Sequence, residues 1–346
     1  MSNSNKINLM DFTKDELAHW LKSQGIAPYR AGQILRWVYL RQEDVFEKMT
    51  DIGKSLRSLL SGHFVVHRLL KVRTELSKDG TQKYLFLLND GNFIESVLIP
   101  ERDHFTLCIS SQVGCAQGCR FCLTGRFGFV RNLTAGEIVA QVRDVLRETD
   151  VSKPLSNIVF MGMGEPLANY SNLTRAIHIL TDSAVGLKFS NRKVTVSTAG
   201  LVPKLRKLGA DTRVNLAISL NATDNDTRNK LMPINRKYPI ETLLDACRSY
   251  PLSPGRRIFF EYILIKGVND TEQDAIRLCK LLRSLKAKVN LIPFNAFEGS
   301  KFSRPSDRVV NRFRDILLEN RYTAVIRLSK GQDISAACGQ LSGKGV

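Results

Sequence analysis

Residues 157–166 read NIVFMGMGEP, an apolar run of β-branched and aromatic side chains that stops abruptly in glycine, glutamate and proline. A short run bounded in this way reads as a buried strand. Five more of the kind lie between residues 106 and 294: TLCISS (106–111), KVTVST (193–198), VNLAISL (214–220), IFFEYILI (258–265) and VNLIPF (289–294). Helical patterns separate them. One starts at Thr134 with Glu137 three residues on, a capping box, and carries Ile138, Val142, Val145 and Leu146 on one face. Strand and helix alternating six times predict a parallel sheet, doubly wound or rolled into a barrel. The positions of small and polar residues favour the barrel: Gly162 to Pro166 follow the second run, Ser197 and Thr198 close the third, Ser219 to Asn221 the fourth, and Pro293 to Asn295 the sixth. Ligands sit at the C-terminal mouth of a parallel barrel, so these four stretches are expected to converge on one pocket.

Upstream the pattern changes. Residues 11–60 alternate short helical segments with breaks and predict a small helical module. Between about 64 and 100 the period is two, and KYLFLLNDGNFIESVLIP reads as two strands joined around Asp90 and Gly91.

Composition narrows the function. The chain has 346 residues, enough for a sizeable core, and 43% of them are hydrophobic, which excludes a disordered or fibrous protein. The N-terminus lacks the profile of a signal peptide and no apolar run approaches the roughly 20 residues that span a bilayer, so a cytoplasmic protein with no membrane partner is expected. Lys and Arg outnumber Asp and Glu by 51 to 33, a net charge of +18 that suits a nucleic-acid partner. The seven cysteines are odd in number, which in a reducing compartment argues for metal binding or thiol chemistry rather than a disulfide framework.

Three of the seven fall in GCAQGCRFCLTG (114–125), as C-x3-C-x2-C just after the first strand. A closed zinc site wants four ligands, usually two C-x2-C pairs. Here Cys115, Cys119 and Cys122 supply three, and Cys108 is the available fourth. On an iron–sulfur cube the same three thiolates leave one iron open to a substrate. A zinc-stapled RNA-binding protein without catalysis and a cluster enzyme both remain open on spacing alone.

C-x3-C-x2-C followed by GMGEP after the next strand resembles the radical S-adenosylmethionine superfamily. The longer strings CISSQVGC, GRFGFVRNLTAGEI, FMGMGEPLANY, VSTAGLVP, LMPINRKYP and AACGQL are similar to the RlmN and Cfr family of RNA adenosine methyltransferases, over about residues 11–341. The resemblance implies a partial (β/α)6 TIM-type barrel over 106–300. It also implies a helical RNA-binding domain over 1–64, a β-hairpin extension over 65–105 and a C-terminal helix, strand and tail over 301–346. It implies a [4Fe–4S] cluster on Cys115, Cys119 and Cys122, and S-adenosylmethionine held by Gly164, Glu165, Ser197, Ser219, Leu220, Asn221 and Asn295. Many relatives have His at the position of Asn221.

Two S-adenosylmethionine molecules would serve each turnover: one methylates Cys338, the other is cleaved to a 5′-deoxyadenosyl radical that takes hydrogen from that methyl. The carbon radical joins C2 of an adenine, Glu95 removes the C2 proton, and Cys108 attacks Cys338, leaving a disulfide for cellular thiols to reduce. Carbon 2, between two ring nitrogens, is too electron-poor for ordinary methyl transfer, which explains the need for a radical. The implied partners are 23S rRNA, transfer RNA, an electron donor such as flavodoxin and a thiol reductant, with the chain a monomer. The alternative within the family is carbon 8 methylation, and Pro166 leans toward carbon 2.

The residues themselves carry part of this reading. Glu95 in FIESVLIP shares a strand face with Phe93, Val97 and Ile99, which costs free energy unless the carboxyl is paired or the strand is a solvated edge. Cys338 lies in a Gly-flanked polar tail. Cys247 and Cys279 share apolar helix faces and read as core. RFGFVRN (126–132), KLRK (204–207) and NRK (235–237) would set basic and aromatic side chains near the mouth for a single-stranded RNA loop whose target base leaves its stack.

Overall fold

The computed structural model describes residues 6–148 and 153–343. One ten-stranded sheet organises the chain. Three antiparallel strands, β1 (Leu70–Leu76), β2 (Gln82–Leu87) and β3 (Phe93–Pro100), lead into β4 (Phe105–Cys108). From β4 onward every neighbour is parallel and in chain order: β5 (Leu155–Phe160), β6 (Val194–Thr198), β7 (Asn215–Ser219), β8 (Ile258–Leu264), β9 (Ala287–Pro293) and β10 (Thr323–Ile326).

A strictly sequential order has no point at which the winding reverses, so the doubly wound alternative falls and the rolled, partial barrel stands. All six runs read from the sequence are strands of this row, and β10 adds a seventh parallel member. Among the described residues β10 pairs only with β9 and β1 only with β2, so the sheet does not close on itself.

The turn between β2 and β3 is the one expected at Asp90 and Gly91. Leu88 N–H bonds the Asn92 carbonyl at 2.8 Å, and Gly91 takes φ +84°, where a side chain would be strained. Because β3 lies between β2 and β4 it is no edge strand, and the solvated-edge reading of Glu95 is corrected: the residue is buried.

The helix Ala135–Glu148 opens with its capping box in place, Thr134 N–H to Glu137 Oε2 at 2.9 Å and Glu137 N–H to Thr134 Oγ1 at 3.2 Å. Ile138, Val142 and Val145 are fully buried against the sheet layer, and Cys247 and Cys279 sit in helix cores as expected.

The N-terminal helices α1 (Lys14–Ser23), α2 (Arg30–Tyr39) and α3 (Lys54–His63) bury Leu17, Leu21, Ile34, Val38 and Leu60 in the same continuous core as the barrel. Their junction is polar as well as apolar. Arg143, fully buried on the helix Ala135–Glu148, donates to the Val38 carbonyl at 2.9 Å and pairs with Asp44, while Asp11 accepts the Gly136 N–H at 2.7 Å. No helix among the described residues is long and apolar enough to cross a membrane.

Candidate active site at the barrel mouth

The three clustered cysteines sit on a loop whose shape depends on glycine. Gly114 takes φ +71°, and a Cβ there would lie 1.9 Å from the Gly128 carbonyl oxygen, so only glycine permits the approach. That approach lets Cys115 N–H bond the same oxygen at 2.7 Å. Phe121 packs with Leu231, Met232 and Phe294 in a second apolar cluster that seals the loop onto the strand ends, with Cys119 and Cys122 at its margin.

Burial pushes the Cys115 thiol up to about 12 and raises those of Cys119 and Cys122, and the three act on one another electrostatically. Thiols so placed bind as thiolates only when a cation meets their charge. A closed zinc site wants a fourth ligand, whereas three thiolates hold a cube of irons and sulfides with one iron left open, so the three cysteines suit the cluster. Cys108 is not the fourth ligand of the zinc alternative: it is buried on β4, and the thiol that acts on it is Cys338.

The C-terminal tail brings Cys338 to this place by an unexpected path. Leaving β10 at one edge of the sheet, it crosses to the antiparallel strands at the other. Lys330 Nζ donates to the Pro100 carbonyl at 2.6 Å, Asp79 Oδ2 accepts the Gly331 N–H at 2.9 Å, and Asp333 accepts from Ser77 Oγ at 2.6 Å. The tail then folds back under the cysteine loop. Leu123 N–H bonds the Gly339 carbonyl at 2.7 Å, Thr124 Oγ1 donates to the Leu341 carbonyl at 2.7 Å, and Asn295 Nδ2 donates to the Cys338 carbonyl at 3.3 Å. The Cys338 side chain keeps accessible surface inside the mouth, yet burial pushes its thiol up to about 11. Neighbouring charges follow burial in order of effect: Glu261 and Cys122 push the thiol further up and Arg327 pulls it down.

Glu95 completes the constellation. Its Oε2 accepts the N–H groups of Ser342 at 2.7 Å and Gly343 at 2.9 Å, and Lys83 Nζ stands 3.6 Å from Oε1. The same Lys83 donates to the Ile334 carbonyl at 2.6 Å. The carboxylate therefore meets its charge partly on the tail that carries Cys338.

Comparisons agree with this geometry. Residues 7–66 match the ribosomal RNA large subunit methyltransferase N-terminal domain, and residues 109–279 match the Radical SAM superfamily. A dual-specificity RNA methyltransferase RlmN of Desulfosudis oleivorans is 58% identical over 96% of this chain and 90% of its own length. One from Geobacter sulfurreducens is 53% identical over 98% and 92%. A solved radical SAM methyltransferase from Sphaerobacter thermophilus is 46% identical, with a TM-score of 0.91, covering 98% of this chain and all of that one. The chain belongs to the RlmN family of radical SAM RNA methyltransferases. It is a methyltransferase enzyme, and the family carries S-adenosylmethionine and a [4Fe–4S] cluster as its cofactors.

In this RlmN-family chain the residues that the sequence resemblance assigns to S-adenosylmethionine lie at or just beyond the strand ends. Gly164 takes φ +100°, and a Cβ there would meet Gln112 at 2.5 Å. Glu165 is buried and ties two strand ends together: Oε2 accepts the Ala199 N–H at 2.7 Å and Oε1 the Leu167 N–H at 3.0 Å. Burial raises its carboxyl, against these amide bonds. Ser197 and Ser219 are half-buried on β6 and β7, and Leu220 is fully buried. Asn295 faces the tail through Cys338.

Asn221 departs from the others. Its Oδ1 accepts the Ile263 N–H at 2.8 Å, its Nδ2 points to Met232 Sδ at 3.3 Å, and its carbonyl accepts from Asn269 at 2.8 Å. What the position demands is φ +58°, a left-handed conformation that Asn and His both tolerate better than most residues.

Among the buried charges missed by sequence reasoning, two stand on or beside the barrel strands: Arg228 and Glu261. Arg228 is fully buried and donates to the carbonyls of Leu220 (2.9 Å), Ala199 (2.8 Å) and Ser219 (3.2 Å) and to Asn235 (2.9 Å), stapling the floor of the mouth. Nothing in RNKLMPIN signals it. Asn235, read as part of a basic RNA contact, is buried as the partner of this arginine and is corrected to a structural role. Glu261 is a carboxylate inside the run IFFEYILI, the same anomaly that singled out Glu95, and the signal was there to be used.

Proposed function

We propose that this chain methylates carbon 2 of one adenosine in 23S rRNA and of the adenosine 3′ of the anticodon in some transfer RNAs, through a methylated Cys338. The observation that carries the reading is the convergence of Cys338, its neighbour Cys108, Glu95 and the three-cysteine loop at one barrel mouth. When bound there, the cluster and two S-adenosylmethionine molecules per turnover supply an electron, a methyl group and a carbon radical.

The chain's own residues do the rest. Cys115, Cys119 and Cys122 hold the cluster, and Gly164, Glu165, Ser197, Ser219, Leu220, Asn221 and Asn295 shape the place of S-adenosylmethionine. Cys338 accepts the methyl group and presents it to the base. Glu95 receives the C2 proton, its Oε2 held by the Ser342 and Gly343 amides and its Oε1 standing 3.6 Å from Lys83 Nζ. Cys108 attacks the Cys338 sulfur, frees the RNA and leaves a disulfide that thiol reductants reopen.

The rim suits a flipped base. Phe127, Phe129 and Val130 are exposed beside the cysteine loop, Arg126 stands 4.8 Å from the centroid of the Phe297 ring, and Lys204 and Lys207 lie over Tyr170. Arg131 is not among the free cations, being paired with Asp90 and Glu137. The same reading makes the chain a cytoplasmic monomer that takes electrons from a flavodoxin-like donor, with residues 1–64 as a second RNA surface, 65–105 as the dock for the tail, 106–300 as the catalytic barrel and 301–346 as the carrier of Cys338.

The test is anaerobic reconstitution with iron and sulfide, then incubation with methyl-labelled S-adenosylmethionine, reductant and a ribosomal RNA fragment. Labelled 2-methyladenosine from the wild type and none from Cys338→Ala is the expected result. Label in 8-methyladenosine would move the chain to the carbon 8 branch, and a colourless, zinc-holding protein that transfers no label would overturn the reading.

A further inference from the structure

The carrier reading leaves one proton without a destination: the one Cys338 loses when it takes its methyl group. The structure offers a candidate acceptor. Glu261 stands on β8 in register with Ser219 on β7 and Asn290 on β9, and paired residues of a parallel sheet share a face. The carboxyl is buried, 7% exposed, beside the likewise buried Asn290.

Its Oε1 accepts from Asn290 Nδ2 at 2.7 Å, and its Oε2 makes no hydrogen bond among the described residues. Asn290 Oδ1 is itself buried without a partner. Such an orphaned acceptor beside a carboxyl has a use. A half-turn of the Asn290 amide lets Oδ1 accept from a protonated Glu261, so the pair can hold this group with or without its proton. No other charged group acts on the Cys338 thiol as strongly as Glu261. The charged groups that face Glu261 are Arg327 and Lys288, which favour its ionised form, while burial outweighs them and pushes the carboxyl up to about 7. The second buried carboxylate, Glu95, is already engaged by Lys83 and two tail amides.

We propose that Glu261 accepts the Cys338 proton, directly or through one water, as Cys338 takes its methyl group. The step balances: the sulfonium S–CH3 bond breaks, a Cys338 S–CH3 bond forms, the thiol S–H breaks and its proton goes to Glu261. The sulfonium and the carboxylate are both neutralised, which a low-dielectric interior favours. Two carboxyls then serve two protons, Glu261 the one from sulfur and Glu95 the one from carbon.

The inference rests on the carrier reading, and the test separates the two. Reconstituted protein is given S-adenosylmethionine without a reductant, and intact mass follows methyl arriving on Cys338. Because the acceptor must be ionised, the wild-type rate rises with pH through about 7 and is flat above. Glu261→Gln slows transfer by roughly 100-fold and loses the pH dependence, and Glu261→Asp recovers part of both.

A second readout has the opposite sign. Removing a carboxylate beside a thiol eases its ionisation, so iodoacetamide labels Cys338 faster in Glu261→Gln than in the wild type. Slower methylation with faster labelling supports the proposal. Unchanged methylation kinetics in Glu261→Gln overturn it, as does a parallel fall of both rates, which marks a damaged fold. A wild type that never gains a methyl at Cys338 overturns the carrier reading, and this inference with it.

Discussion

Glu95 and Glu261 stand in strands of almost the same composition, FIESVLIP and IFFEYILI, and each is a carboxylate where the pattern asks for an apolar side chain. Neither stabilises the fold by being there. Burying a charge is unfavourable unless partners meet it, so each position points to chemistry or to a specific polar contact. For Glu95 the contact is the tail, and the proposed chemistry is the C2 proton. Glu95→Gln keeps the shape and an acceptor for the Ser342 and Gly343 amides but cannot take a proton. The expected result is a fall of about 100-fold or more in methylated RNA with methyl still arriving on Cys338, read from nucleoside and intact-protein mass in the same samples. Loss of both would place Glu95 in the structure rather than in the reaction. Asn221 is the opposite lesson: a residue carried over by likeness whose side chain turns inward, and whose value lies in its backbone angle.

At the scale of elements, the cysteine loop and the tail are two irregular segments that hold each other. Gly114→Ala places a Cβ against the Gly128 carbonyl at a positive φ, and the loop must open. Iron per chain after reconstitution should fall to a small fraction of the wild-type value, while the melting of the metal-free protein changes by far less than loss of a core residue would cause. The strands, the hairpin at Asp90 and the capping box at Thr134 were legible because each is written in neighbouring residues: a period, a turn dipeptide, a three-residue spacing. The tail's path was not. Asp333 meets Ser77, Lys330 meets Pro100 and Glu95 meets Gly343 across some 230 to 260 positions, and no local pattern encodes a partner so far away. Arg228 escaped for a different reason: most of its acceptors are backbone carbonyls, which every sequence has.

For the whole molecule, the +18 charge is best tested where the fold can bear it. Deleting residues 1–60 would strip Leu17, Val38 and Leu60 from a shared core and leave Arg143 buried without Asp44, so lost RNA affinity would say nothing about contact. Lys22, Arg36 and Arg41 are exposed on the helical module. Replacing all three with Gln should lower the slope of log affinity against log salt by about 2 if each meets a phosphate of single-stranded RNA. An unchanged slope would assign RNA binding to the barrel alone.

The nearness of Cys108 to Cys338 also bears on how the protein is handled. A bond between them ties residues about 230 apart in sequence, and cross-links closing long loops stabilise most, here by up to about 5 kcal/mol. On the proposed mechanism that bond is the spent form of the enzyme. A formulation chosen in air for its high melting temperature would therefore select against catalysis, and thermal robustness and competence would rank the same samples in reverse order.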